Sequence, residues 1–357
     1  MIVAGGGTGG HLFPGLAVAE ALGDGDAALF VGSAGGIEAR VIPRTRFPFR
    51  ALEVSGVRGR GARGVLEFLW QVPAALRQAG QEVASFGADV VLGVGGYASF
   101  PAVVAAWLRG VPTVLLEQNA RPGMANRVLG RIATRICTTF DAARGSFPAG
   151  RVVVTGNPVR SFATSPAARR ADQSFCVLVF GGSQGAQSIN AAMYAAAPSL
   201  AARFETFRLI HQTGRGLADD ARERYARAGV RAEVHEFIED MGAAYAAADL
   251  VVCRSGATTL AELAAVGKAA ILVPYPKAAD DHQRANAEVF VAAGAARMVL
   301  DADLTADRLA REVAEVVAAA DTRTAMESAA RALARPDAAD RVVALCRELA
   351  GTEGTDE

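Results

Sequence analysis

The chain has 357 residues, more than one hydrophobic core usually organises, and 51% of them are hydrophobic against 21% charged. Those values predict a globular chain of two domains and exclude disordered or fibrous classes. Acidic and basic residues balance at 37 each, so no whole-chain field favours nucleic acid as a partner.

In chain order, short apolar runs of strand length alternate with helical patterns. Ile2 to Ala4 leads into a glycine-rich turn and a helix from about Pro14 to Leu22, and the start MIVAGGGTGGH leaves no room for a signal peptide. Further strands are expected at 27–31, 88–94, 112–117, 133–139 and 152–156, with a helix from Pro101 to Leu108. The polar segment 165–174 reads as a linker, after which strands are expected at 176–182, 207–214, 232–238, 249–255 and 269–275. A last helix runs from about Asp337 to Ala350 and leaves a short acidic tail, expected to be disordered. Strand–helix alternation of this kind predicts an α/β chain of two doubly wound parallel-sheet units, each opening with a strand, a glycine-rich turn and a helix. Cys137, Cys176, Cys253 and Cys346 lie far apart among mostly apolar neighbours, as buried free thiols rather than a zinc site. No apolar run reaches the roughly 20 residues of a spanning helix, so any membrane contact is expected to be peripheral.

Several turns carry chemistry. Gly5 to Gly10 fits G-x-G-x-x-G between a strand and a helix; its amides and helix N-terminus can hold a diphosphate, although a structural tight turn is the plainer reading. A nicotinamide site would also need an acidic residue closing the second strand, and Gly32 and Ser33 stand there. His11 follows the glycines where the turn enters the helix. A helix N-terminus disfavours imidazolium and so keeps a base neutral. Gly93 to Ser99 forms a second amide-rich turn, and Glu117, Gln118 and Asn119 close the strand after it. In the second half, Gly181 to Ala186 and Arg254 to Thr259 again follow strands and open helices, ready to face phosphate oxygens. Glu262 shares a helical face with Thr258 and Thr259, as a ribose acceptor or a solvated residue. Asp281, His282, Gln283 and Asn286 either read sugar hydroxyls or cap a helix.

Taken together, GGGTGGH, GGYAS, LEQN, GNPVR, FGGSQGAQSIN, EFIEDM, ADLVVCRSGATTLAE and DHQRANA occur in the order and at about the spacing of the MurG family, which the chain resembles from residue 1 to about 350. The resemblance implies a GT-B fold of two Rossmann-like domains facing a cleft. An acceptor-binding, membrane-associating domain would span 1–162 and a UDP-N-acetylglucosamine domain 163–336, with a helix at 337–350 crossing back and a tail at 351–357. It implies an inverting hexosyltransferase of peptidoglycan synthesis, and so a part in cell wall, cell shape and cell division. N-acetylglucosamine would pass from UDP-N-acetylglucosamine to lipid I on the cytoplasmic face of the bacterial membrane, with no obligatory cofactor or metal. Other cell-wall proteins are implied as partners. Another GT-B lipid glycosyltransferase or a nucleotide-sugar epimerase is the alternative.

Carried over by position, Gly7, Thr8, Gly9, Gly10, Gly95, Gly96, Tyr97 and Ser99 would line the acceptor diphosphate site, with His11 as base and Glu117 and Asn119 facing the reacting sugars. Arg160, Ser183, Gln184, Ile238, Ser255, Gly256, Ala257, Thr258, Glu262, His282 and Gln283 would bind the donor together with Asn119. Leu66, Phe68, Leu69 and Trp70, flanked by Arg60 and Arg63, would form an interfacial patch, or equally a buried helix under a basic rim. The chain departs from the family pattern at Leu116, where a histidine is usual, at Phe100, at Thr258, and at His282, where the family commonly has a glutamine.

Overall fold

The computed structural model describes residues 1–54, 61–159, 174–182 and 185–351, with side chains from Trp70 onward in the segment that opens at 61. The expectations for Arg60, Arg160, Ser183, Gln184, the side chains of Arg63, Leu66, Phe68 and Leu69, most of the linker and the tail beyond Gly351 lie outside the described residues. The chain divides into two compact units, one built from residues 1–160 and 335–357, the other from 161–334.

The first unit runs β1 (Ile2–Gly5), α1 (Gly9–Glu20), β2 (Leu29–Ser33), α2 (Glu38–Val41), β3 (Phe49–Leu52), α3 (Gly61–Phe86), β4 (Val91–Gly95), α4 (Ser99–Leu108), β5 (Thr113–Glu117), α5 (Met124–Leu129), β6 (Arg135–Thr138) and β7 (Val152–Val154). All pairings are parallel, in the order β3-β2-β1-β4-β5-β6-β7. Period-two alternation divides the strand residues between two faces. Ile2, Ala4, Val91 and Leu115 pack on the face covered by α4; Val3, Phe30, Leu92 and Leu116 pack with Leu12 and Leu16 of α1. The second unit runs β8 (Phe175–Phe180), α6 (Gln187–Arg203), β9 (Phe207–Gln212), α7 (Ala218–Arg227), β10 (Ala232–His235), α8 (Met241–Ala247), β11 (Leu250–Cys253), α9 (Ala257–Val266), β12 (Ala270–Leu272), α10 (His282–Ala292), β13 (Ala296–Met298), α11 (Ala306–Ala318) and α12 (Ala320–Ala332). Its sheet is also all parallel, ordered β10-β9-β8-β11-β12-β13. A final helix, α13 (Ala338–Ala350), returns to the first unit, where Val342, Val343 and Cys346 join the core of α1.

The strand orders place the sites. Each sheet reverses direction once, at β1/β4 and at β8/β11, and loops that leave adjacent strands in opposite directions open a crevice at the carboxyl edge. The four glycine-rich turns leave these four strands. The four cysteines are buried and unpaired, and burial pushes the Cys346 thiol up to about 12.

The sequence reading misses β3, whose residues are mostly part-exposed, and β13, which is three residues long and only partly buried. Neither shows the buried run or clean alternation that marks a strand. The first helix begins at Gly9, five residues before Pro14, which stands inside it as the sixth residue; the glycines ahead of it and the proline, both read as helix breakers, hide the start.

Candidate active site

In the first unit β1 ends at Gly5 and the chain turns through Gly5, Gly6 and Gly7, with φ of 139°, 141° and 83°, before Thr8 opens α1. The Gly6 amide donates to the Gly95 carbonyl at 3.3 Å and so ties the two glycine turns together. The Gly7 amide donates to Glu38 Oε2 at 2.8 Å, while the Ser33 amide and hydroxyl both donate to Oε1 at 2.9 Å. Glu38, in α2, is 1% exposed. The second strand therefore is followed by an acid, but a buried one already filled by protein donors, unlike the ribose-binding acid of a nicotinamide site. Thr8, Gly9 and Gly10 lie at the N-terminus of α1, whose first amides have no intrahelical partner.

His11 sits in the first turn of α1, half-buried, with Nδ1 3.1 Å from the Thr8 hydroxyl. Its ring lies against the second glycine turn: a Cβ on Gly95 would fall 2.8 Å from His11 Cδ2 and 3.2 Å from Nε2. If Nδ1 donates its proton to Thr8 Oγ1, Nε2 keeps its lone pair as a base. Tyr97 reaches from that turn to donate to Ser33 Oγ at 3.1 Å. Ser99 is buried and spends its hydroxyl on the Gly96 carbonyl at 2.8 Å, which shapes the turn from within.

Glu117 is 1% exposed. Its Oε1 accepts the Asn119 backbone and side-chain amides at 2.9 and 3.2 Å, and its Oε2 accepts the Gly123 amide at 3.2 Å and Asn126 Nδ2 at 3.0 Å. The carboxylate faces the protein, not a sugar, and holds the loop that presents the half-buried Asn119. Burial raises its pKa, and the four donors only partly offset that. Gln118 also turns inward, its amide nitrogen on the Val94 carbonyl at 2.9 Å.

In the second unit, Gly181 and Gly182 follow β8, and Gln212 Nε2 holds the Gly182 carbonyl at 2.8 Å. Gly185 passes so close to the Thr213 carbonyl that a Cβ would lie 2.1 Å from it, and Asn190 of α6 binds the same carbonyl at 2.8 Å. Arg254, beyond β11, donates through NH1 to the Val273 and Pro274 carbonyls at 3.2 Å and to Asp301, and through NH2 to Ser188 Oγ at 2.8 Å. Ser255 is fully buried, donates its hydroxyl to the Gln283 carbonyl at 2.8 Å and accepts Asn286 Nδ2 on its carbonyl at 3.3 Å, so it braces α10 and offers no hydroxyl to a ligand. Gly256 is the N-cap of α9, with Ala257 buried and Thr258 half-buried in the first turn.

Glu262 accepts the hydroxyl of buried Tyr245 at 2.9 Å, which fixes one carboxylate oxygen. Gln283 accepts the Tyr275 amide on Oε1 at 2.9 Å. His282 opens α10 with Nδ1 2.7 Å from the Ala279 carbonyl, and because a carbonyl only accepts, that nitrogen carries the proton. Ile238 follows β10 and is 8% exposed, whereas its neighbour Phe237 is 56% exposed. Trp70 of α3 is 88% exposed. Among the described residues no group of three or more His, Cys, Asp or Glu can hold a metal ion, and no helix is long and apolar enough to cross a membrane.

Glu38, Asn126, Gln212, Tyr245 and Asp301 are among the supporting residues that the sequence reading does not single out. The one signal for Glu38 is a lone acid among glycines at 32, 35 and 36.

The N-terminal domain of glycosyltransferase family 28 matches residues 1–138 and its C-terminal domain matches residues 176–342. A Myxococcus xanthus UDP-N-acetylglucosamine--N-acetylmuramyl-(pentapeptide) pyrophosphoryl-undecaprenol N-acetylglucosamine transferase is 46% identical over 98% of this chain and 92% of its own. The chain belongs to the MurG family. The crystal structure of Acinetobacter baumannii MurG superposes with a TM-score of 0.79 at 32% identity, covering 97% of this chain and 98% of that one, and the fold is GT-B. Neisseria meningitidis UDP-GlcNAc 2-epimerase, 14% identical with a TM-score of 0.67 over 96% of this chain and 97% of its own, shares the fold alone. Membership of the MurG family therefore separates this chain from the epimerases, which the fold by itself does not.

Proposed function

We propose that the chain transfers N-acetylglucosamine from UDP-N-acetylglucosamine to the C4 hydroxyl of the N-acetylmuramoyl group of lipid I, giving lipid II for peptidoglycan. The near full-length identity to a MurG-family transferase carries this reading. The first unit takes the acceptor and the second the donor, and no cofactor is required. The donor sugar is α-linked and the product β-linked, so one in-line displacement with inversion suffices.

A sugar hydroxyl is a poor nucleophile until a base receives its proton, a contribution of roughly 10² to 10⁴ in rate. His11 serves as that base. The Thr8 hydroxyl on Nδ1 orients the ring, and Gly95 and Gly96 leave room for it. The N-terminus of α1, through Thr8, Gly9 and Gly10, takes the acceptor diphosphate. Charge that builds on departing UDP meets the amides of the turn before α9, at Gly256, Ala257 and Thr258. Glu262 binds the ribose, Ile238 flanks the uracil, and Gln283 and His282 meet the N-acetylglucosamine hydroxyls.

Lipid I carries its polyprenyl chain in the bilayer, so the enzyme works peripherally at the cytoplasmic face. The exposed Trp70, within the expected interfacial stretch, supports this. The test is transfer of radiolabelled N-acetylglucosamine to a short-chain lipid I analogue by wild type and His11→Ala, with UDP binding followed by calorimetry. Transfer by wild type and a loss of at least about 10²-fold in the variant, with UDP binding kept, is the expected result. Donor epimerisation or hydrolysis without transfer overturns the acceptor; an active His11→Ala overturns the base.

A further inference from the structure

We infer that Glu38 is a positioning residue for the acceptor site: its carboxylate fixes which amides of the first glycine turn face the diphosphate and locks that turn to the second one. The inference rests on the acceptor reading above, and none of the motifs that carry the family resemblance contains Glu38.

A buried carboxylate under an anion-binding turn has the wrong sign unless its charge is already spent. Here three donors converge on it, the Gly7 amide on Oε2 and the Ser33 amide and hydroxyl on Oε1, at 2.8 to 2.9 Å. All three are donors, so both carboxyl oxygens are committed as acceptors to the protein. The wrapping is close on three sides. A Cβ at Gly6, Gly36 or Gly32 would lie 2.3, 2.2 or 2.6 Å from atoms of this side chain, so glycines from two separate segments make the room. The consequence is directional. With the Gly6 amide on the Gly95 carbonyl and the Gly7 amide on Glu38, both point into the protein, and the anion must be met by the amides that follow, beginning at Thr8 and Gly9.

The second half of the device is a relay. Ser33 has one hydroxyl proton, which goes to Glu38, so its oxygen accepts from Tyr97, and the order is Tyr97 to Ser33 to Glu38. Tyr97 belongs to the turn on which the His11 ring rests, so Glu38 sets the spacing of both walls around the base. Gln in place of Glu38 keeps the volume but must aim an NH₂ at either the Gly7 or the Ser33 amide, which repels the turn.

Steady-state transfer to the lipid I analogue by wild type and Glu38→Gln separates positioning from plain destabilisation. We expect the acceptor KM to rise roughly 10- to 100-fold while UDP affinity and donor KM stay within about twofold. A folded Glu38→Gln protein with unchanged acceptor KM, or with equal losses on both substrates, overturns the inference. If that variant does not fold, Ser33→Ala and Tyr97→Phe decide: a relay makes the double variant no worse than the worse single one, and additive losses overturn it. Amide resonances in wild type titrated with inorganic pyrophosphate test the directional claim without lipid I: Thr8 and Gly9 should shift and Gly7 should not. A Gly7 shift of equal size, or no shift at any of the three, overturns it. A wild type that shows the expected shifts but does not glycosylate lipid I leaves the Glu38 geometry standing and removes the acceptor assignment instead.

Discussion

The glycine turns of the two units follow one strand–turn–helix plan, yet groups of opposite charge hold them from beneath. In the first unit a carboxylate, Glu38, collects a turn amide together with the Ser33 amide and hydroxyl. In the second a guanidinium, Arg254, collects carbonyls, the Ser188 hydroxyl in the first turn of α6, and the Asp301 carboxylate. The acid consumes a turn amide and leaves anion binding to the helix N-terminus that follows; the arginine, which only donates, takes no turn amide and instead ties its own turn to the carbonyls beyond β12, to α6 and to Asp301.

The sharpest way to break this comparison is Arg254→Met. The arginine side chain is 11% exposed and its partner Asp301 20%, so the change leaves a largely buried carboxylate with the Ser188 hydroxyl but no counter-charge from Arg254, and takes a donor from two carbonyls. A loss of about 3 to 5 kcal/mol in urea unfolding of the second unit is expected, with UDP binding weakened alongside. A loss under about 1 kcal/mol would show that the guanidinium holds nothing. Gly95→Ala comes next: at φ of +97° the new methyl drives into the His11 ring, so kcat/KM should fall roughly 10²-fold with UDP affinity retained. Full activity in that variant would remove His11 from its place against the turn.

The units should also answer pH in opposite directions. His211, buried between the Tyr225 hydroxyl and Asn190 Oδ1, has its pKa pushed down to about 3 by burial. Its contribution is complete above the unfolded value near 6.5 and is lost as pH falls towards 3, about 2 kcal/mol of it between pH 7 and 5. Glu117 is shifted upward by burial, so its contribution is complete below the ordinary carboxylate range and fades as pH rises through the raised value. Denaturation midpoints of His211→Phe and Glu117→Gln, each against wild type across pH 5 to 8, should therefore diverge from it at opposite ends. Divergence at the same end would contradict the assignment. The smallest effect is expected for Arg227→Ala, whose bridge to Glu223 spans one helix turn with both side chains mostly exposed; a change beyond about 0.5 kcal/mol would be unexpected.

Motifs made of contiguous residues were legible in the sequence, because a strand, a glycine run and a helix are all local signals. The two doubly wound sheets and the pairing of the turns at Gly5 and Gly95 follow from that. What was not legible is where side chains turn. Glu117 reads as a reacting-site acid, but Asn126, nine residues on, draws it inward; Ser255 reads as a phosphate ligand, but the Gln283 carbonyl takes its hydroxyl. Glu38 was hidden for the same reason: its partner Gly7 is 31 residues away, and a four-residue helix carries no periodicity to announce it.

The return of α13 gives the chain a particular order of assembly. Val342, Val343 and Cys346 complete the core that Leu12 and Leu16 begin, so the unit that is translated first is the one that finishes last. On the ribosome the second unit can close while one face of the first sheet still waits for its cover. A stop codon just ahead of Ala338 would leave that face wet and should cripple the half that holds His11, while the half around Arg254 folds as before.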